Sequence, residues 1–235
     1  INKIISKKTI PQDTTEKNEY DIYNGAVLIS PKTGNSYFQE KKFPNLDFYY
    51  KRHLMPIYER VPFLDLFSFL KGFALDNGGG KNFSKGKRAV SLPFRDRNGI
   101  EREIGTIICS EALIPSLGAE QVRDGADFLI QLANESWFGR YSSLEQLASI
   151  SRIRAIENRV PLVRCAVTGY SMFFDSFGHH TTPLPIYKQA YQTNVIRLSD
   201  KRSFYSGHVD IFAKICAVFT GISFLLRSEE RRVGK

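Results

Sequence analysis

The sequence predicts an α/β fold in which strands and helices alternate in layers, with antiparallel hairpins added. Three observations predict it. Short apolar runs of strand length are set apart by turns rich in Pro, Gly and Asn. A long helix is announced by Ser142-Ser143-Leu144-Glu145, the capping-box pattern, with Ser142 as N-cap and Glu145 reaching back. No repeat or low-complexity tract interrupts the 235 residues, enough for one large domain with its own core.

The elements follow in order. Residues 1–20 are polar and read as a loop or frayed start. Residues 23–30 (Tyr-Asn-Gly-Ala-Val-Leu-Ile-Ser) form a strand, residues 31–35 a turn, and residues 37–41 a second strand. Residues 51–62 are irregular and closed by Pro56 and Pro62. An aromatic-rich helix over 63–75 is broken by Asn77-Gly78-Gly79-Gly80. Strands over 89–95 and 102–109 flank the turn Asp96-Arg97-Asn98-Gly99, a short helix covers 119–123, and a buried strand covers 127–133. The capped helix runs to about Asn158, with Leu144, Leu147, Ile150, Ile153 and Ile156 as its stripe, widened by Ala148 and Ala155. Strands over 162–168, 171–175 and 192–198 complete the domain.

Residues 211–226 are the longest apolar run. Sixteen residues span about 24 Å as a helix, against roughly 30 Å of bilayer hydrocarbon. Hydropathy alone leaves a core helix and a membrane span equally open, and Lys214 can snorkel to headgroups. Residues 227–235 read as a basic flank or an artefactual tail.

A net charge of +9 and a pI near 9.4 call for an acidic partner surface, anionic lipid or nucleic acid. No zinc-finger spacing, RNP-type aromatic motif or long basic helix is present, so nucleic acid is set aside. Three widely spaced cysteines give neither a disulfide framework nor a zinc site. Cys165 sits in an apolar run and reads as a small core residue, and Cys216 sits in the 211–226 run. Cys109 ends a strand where the following turn can offer N–H groups to an oxyanion, the setting of a nucleophile. A buried cysteine alone is more often inert, so its neighbours decide.

Those neighbours carry a resemblance. Tyr49-Tyr50-Lys51-Arg52-His53-Leu54-Met55-Pro56, then Glu59-Arg60-Val61-Pro62, Cys109-Ser110-Glu111 and Asn134-Glu135-Ser136-Trp137-Phe138-Gly139 occur in one order. Together they resemble the apolipoprotein N-acyltransferases of the nitrilase superfamily. The resemblance implies a nitrilase-like α-β-β-α sandwich over residues 1–205, N-terminally incomplete, then a C-terminal membrane helix over 206–226. It implies Cys109 as nucleophile, Lys51 as oxyanion partner and Glu59 as the second glutamate. Ser110 would give a backbone N–H to the oxyanion, with Glu111, Asn134, Trp137 and Phe138 at the pocket. Taken alone, Lys51 reads equally as part of a solvated basic loop, Glu59 as a surface partner of Arg60, and Glu111 as a helix cap. His53 is read as orienting its loop.

Two positions depart from the pattern: Ser110 stands where the family has tyrosine, and Tyr58 where it has glycine. The family's general-base glutamate, in an upstream Pro-Glu element, has no counterpart; Glu16 and Glu19 lack that context, so the chain by itself is expected to be inactive. The implied reaction is transfer of an acyl chain from a phospholipid to the diacylglyceryl-cysteine of an apolipoprotein, through a thioester. It takes place at the extracytoplasmic side of a bacterial inner membrane, with no metal or organic cofactor. Phe63, Phe67, Phe69 and Phe73 are a membrane-facing lid or a plain core stripe. The rival readings are a carbon–nitrogen hydrolase acting on a small amide or nitrile, and a non-catalytic membrane-anchored domain that keeps the fold.

Overall fold

The computed structural model describes residues 2–7, 20–29, 47–63, 83–139 and 142–233. Two sheets organise them. Strands β1 (Asn2–Lys7), β2 (Tyr20–Leu28) and β3 (Asp47–Tyr50) form an antiparallel sheet in that order. Strands β4 (Leu92–Arg95), β5 (Glu101–Ile108), β6 (Phe128–Ala133), β7 (Leu162–Ala166) and β8 (Met172–Phe174) form the other, parallel from β5 to β7 and antiparallel at both edges. Parallel neighbours need long crossovers. Helix α1 (Pro115–Arg123) lies in the first and α2 (Ser143–Asn158) in the second. A single turn α3 (Phe204–Gly207) leads to α4 (Ile211–Val233).

Two cores sit on the two faces of the larger sheet. Ile107, Leu129 and Leu162 meet Val122, Ala148 and Ala155 on the helical face. On the other face Tyr49, Ala26 and Leu28 of the small sheet close on Leu92, Ile104, Ile108 and Phe128. Strand β5 lies between both cores, and its last five residues are all buried, which is why it reads as an unbroken apolar run. The layers are therefore helix, sheet, sheet. The strand expected over 37–41, the turn at 31–35, the Asn77–Gly80 break, Glu16, Glu19, Phe67, Phe69 and Phe73 lie outside the described residues.

Several expectations are corrected. Residues 2–7 form a strand, not a loop: Ile4-Ile5 supplies β-branched propensity, and the flanking lysines suit a sheet edge. Helix α1 starts at Pro115, ahead of residue 119, because proline is favoured in a first helical turn. The capping box of α2 does not form. Ser142 is itself helical (φ −55°, ψ −17°) and makes no side-chain cap bond, whereas an N-cap needs extended dihedrals. The apolar stripe of α2 is also redrawn. Steps of three residues slide roughly 60° around a helix each time, so Ile153 and Ile156 emerge into solvent. The buried face is Leu144, Ala148, Ser151, Arg154, Ala155 and Asn158, and half of it is polar.

Cys165 is exposed, not core. Alternation along β7 turns Leu162 and Arg164 inward and Cys165 to the opposite face. Residues 192–198 form no strand, although Ile196 and Leu198 pack against the inter-sheet core. Helix α4 begins at Ile211, not 206, and continues through residues 227–233. Phe212, Ile215, Val218, Phe219, Ile222, Phe224 and Leu225 on it are all exposed, so it projects from the domain and leaves the core unfilled. Among the described residues no helix is long and apolar enough to cross a membrane.

Candidate active site

Strand β5 ends at Ile108, and the chain turns at once into a 3₁₀ helix over Cys109–Leu113. Cys109 takes φ +51° to make that turn. A non-glycine residue held in the left-handed region costs on the order of 1–3 kcal/mol and persists only where its surroundings enforce it. The result is a half-buried thiol at the tip of a rigid strand.

Lys51 follows β3 directly. Its backbone is held on both sides: its N–H donates to Asn24 O at 2.8 Å, and its carbonyl accepts from Gly86 N at 2.9 Å. A Cβ on residue 86 would lie 2.2 Å from Tyr50 O, so only glycine admits this approach. The Lys51 side chain is fully buried, and its Nζ meets Glu59 Oε2 at 2.7 Å. Glu59 also accepts from Met55 N at 2.7 Å and Asn24 Nδ2 at 2.8 Å. The Glu59 carboxylate thus accepts three hydrogen bonds, while the ammonium has three donors and one carboxylate partner. Glu59 does not pair with Arg60, whose guanidinium donates to Phe83 O.

Glu111 clamps the two segments together. Its carboxylate accepts from Arg52 N at 2.6 Å, His53 N at 3.1 Å, Ile108 N at 2.8 Å and Tyr49 Oη at 3.0 Å. It reaches back as a cap to the residue before Cys109 while gripping the loop after Lys51. With every lone pair engaged it offers nothing to a pocket, so its role is positional. His53 is exposed, and only its backbone takes part.

The box at residues 134–139 forms the other rim. Asn134 Oδ1 accepts from Ser136 N and Ser136 Oγ, and Trp137 Nε1 donates to Asn134 O at 2.9 Å. Phe138 is half-buried, whereas Trp137 is exposed and meets the Tyr58 ring edge-on. Ser110 is buried and its hydroxyl has no partner within the described residues.

Burial raises the pKa of the Cys109 thiol. The Lys51 charge and the N–H groups of Ser110 and Asn134 pull it back down, and Glu59 opposes them. Four of the expected residues, Lys51, Glu59, Ser110 and Asn134, thus act on the thiol through their charges or N–H groups. Burial likewise raises the Glu111 carboxyl, against the pull of its N–H donors.

Sequence reasoning missed a buried network beneath this site. Arg164 donates through Nε to Tyr170 O at 3.0 Å and through one terminal nitrogen to Gln131 Oε1 at 2.8 Å and Ser151 Oγ at 3.0 Å. Its other terminal nitrogen pairs with Glu135. Glu135 is admitted by Gly169, where a Cβ would fall 1.8 Å from Oε2. Gln131 Nε2 in turn faces the Cys109 carbonyl at 3.4 Å. The available signal was a charged residue inside the apolar run of β7, which demands a buried partner. Asn24, a polar residue inside a strand, was the corresponding signal for Glu59. Among the described residues no group of three or more His, Cys, Asp or Glu side chains converges as a metal site would require.

Comparison with known proteins places this arrangement. The family model described as carbon-nitrogen hydrolase matches residues 5–200. An apolipoprotein N-acyltransferase of Chlorobaculum tepidum is 31% identical over 91% of this chain and 38% of its own length. One of Geobacter metallireducens is 36% identical over 76% of this chain and 33% of its own length. The chain thus spans little more than a third of these relatives. Among solved structures, a carbon-nitrogen hydrolase of Helicobacter pylori G27 aligns with a TM-score of 0.49 at 15% identity, over 72% of this chain and 55% of that one.

Proposed function

The chain belongs to the carbon–nitrogen hydrolase family, and we propose on that premise that it is the catalytic part of an apolipoprotein N-acyltransferase. In this reading Cys109 attacks the ester carbonyl of a phospholipid acyl chain. A thioester forms and a lysophospholipid leaves. The α-amine of a diacylglyceryl-cysteine at the N-terminus of an apolipoprotein then attacks the thioester, giving the amide and regenerating the thiol. The protein works at the outer face of a bacterial inner membrane, with α4 as its apolar contact to the bilayer.

The observation that carries the reading is the buried Lys51–Glu59 pair beside Cys109. Glu59 fixes the ammonium, and the remaining Nζ donors are available to an oxyanion formed on the Cys109 adduct. The Ser110 N–H completes that hole. Glu111 is fully hydrogen-bonded and Glu59 already holds Lys51, so the reading gives the thiol proton to neither. The reading therefore assigns the thiol proton to a further carboxylate acting as general base, because burial raises the pKa of the Cys109 thiol.

The similarity to proteins named apolipoprotein N-acyltransferase favours a lipid substrate over a small amide. The test is a two-substrate assay on the product of the complete reading frame. Phospholipid micelles and a diacylglyceryl-cysteine peptide should give N-acyl peptide and lysophospholipid in equal amounts. Release of ammonia from short aliphatic amides, with no acyl transfer to the peptide, would establish the small-substrate hydrolase instead.

A further inference from the structure

Tyr58 occupies a place where the resembling motif carries glycine, so its ring is this chain's own addition. The ring does not turn into the core. Its centroid lies 5.3 Å from that of Trp137 with the planes at 77°, and the two residues are 57% and 56% exposed. The turn that presents it is strained: Ile57, a β-branched residue, sits at φ +70°. Hydrogen bonds from Tyr58 N to Pro56 O at 2.8 Å and from Ile57 N to Arg60 O at 2.9 Å hold the turn closed. Ile57 is itself 70% exposed. Strain that delivers two apolar side chains to solvent has no packing reward, which marks it as functional.

Each ring is tied to the reacting centre. Tyr58 immediately precedes Glu59, which holds Lys51. Trp137 is anchored by its indole N–H to Asn134 O, two residues beyond Leu132, which pairs with Ile108 just ahead of Cys109. The pair therefore bridges the two segments that flank Cys109, and both rings are open to solvent.

We propose that Tyr58 and Trp137 are specificity-determining residues that clamp the acyl chain borne by Cys109. The inference rests on the thioester reading and deepens it: the clamp selects long apolar chains over short ones. Tyr58 acts through its ring and not through its hydroxyl.

The chain contains one tryptophan, so its emission reports this rim directly. In a Cys165→Ser/Cys216→Ser background the protein is treated with methyl and decyl methanethiosulfonate. Sγ of Cys109 forms a disulfide with the alkylthio group, methanesulfinate leaves, and intact mass counts the adduct. The decyl adduct should move Trp137 emission to shorter wavelength and protect it from acrylamide quenching, and the methyl adduct should not. Tyr58→Phe should keep the difference and Tyr58→Gly should lose most of it. A Cys109→Ser control should show no shift. Emission independent of chain length on a fully modified Cys109 would overturn the clamp and leave the thioester reading standing. A full decyl shift in Tyr58→Gly, or the same shift in the Cys109→Ser control, would likewise overturn it. Failure of Cys109 to take up either reagent would overturn the thioester reading, and the clamp with it.

Discussion

Two buried ion pairs lie close to Cys109, and they are built differently. Arg164 and Glu135 form a pair in which most of the guanidinium is used: hydrogen bonds go to Tyr170 O, Gln131, Ser151 and Glu135. Lys51 and Glu59 form a pair in which the carboxylate is held by two further N–H donors and the ammonium has only the carboxylate as partner. Burial of charge is costly in both cases. A cation with most of its donors spent is a fastener, whereas one with most in reserve can answer a charge that appears only during reaction. In the proposed reading the first pair belongs to stability and the second to rate.

The largest effect should come from the fastener. Arg164→Met leaves Glu135 buried without a cation, a change that typically costs about 3–5 kcal/mol. Chemical denaturation should show a loss of that size, and a variant as stable as the parent would refute the structural role. Lys51→Met should instead act on rate. Loss of one oxyanion donor costs on the order of 10²–10³-fold, read as the rate of acyl-enzyme formation. Its fold should survive better than that of Arg164→Met, because Glu59 keeps the N–H donors of Asn24 and Met55. If Lys51→Met unfolds and Arg164→Met merely slows, the contrast is inverted.

A subtler test is the pH dependence of Cys109 alkylation. The Lys51 charge lowers a thiol pKa that burial raises. Removing that charge must raise it further, so the iodoacetamide rate profile of Lys51→Met should move to higher pH. A profile that stays in place would mean the ammonium does not act on the sulfur.

How much of this was legible from residues alone depended on what each signal measured. Cys109, Lys51 and Glu59 stand in contiguous motifs, so their chemistry could be read in order along the chain. The five strands of the larger sheet were legible because apolar runs between turns mark buried strands directly. The α2 face was misread because polar Ser151, Arg154 and Asn158 are buried there, and hydrophobicity cannot announce a polar residue's burial. Cys165 was misplaced for a related reason: an apolar run gives a strand, and only the register says which face each residue takes. Glu111 was legible as a cap but not as a clamp, since its partners Arg52 and His53 lie more than fifty residues away.

The smallest predicted effect lies away from both pairs. Glu157 sits beside Arg154 at 2.7 Å, yet burial outweighs that cation and pushes the carboxyl up to about 7. A carboxyl with a raised folded-state pKa makes the folded protein the better proton binder. Its contribution is therefore favourable at low pH and is lost as pH rises from about 4.5 toward 7. Glu157→Gln should flatten that part of the stability profile, and an unchanged slope in urea titrations would contradict the assignment.

The most direct measurement is the intact mass of the complete-frame protein after incubation with phospholipid micelles. An increment of one acyl chain should appear on Cys109, be removed by hydroxylamine, vanish in Cys109→Ala and accumulate 10²–10³-fold more slowly in Lys51→Met, about the effect of one lost oxyanion donor. Acyl mass persisting in Cys109→Ala, or accumulating at the parent rate in Lys51→Met, would contradict the assignment of a Lys51-served cysteine nucleophile.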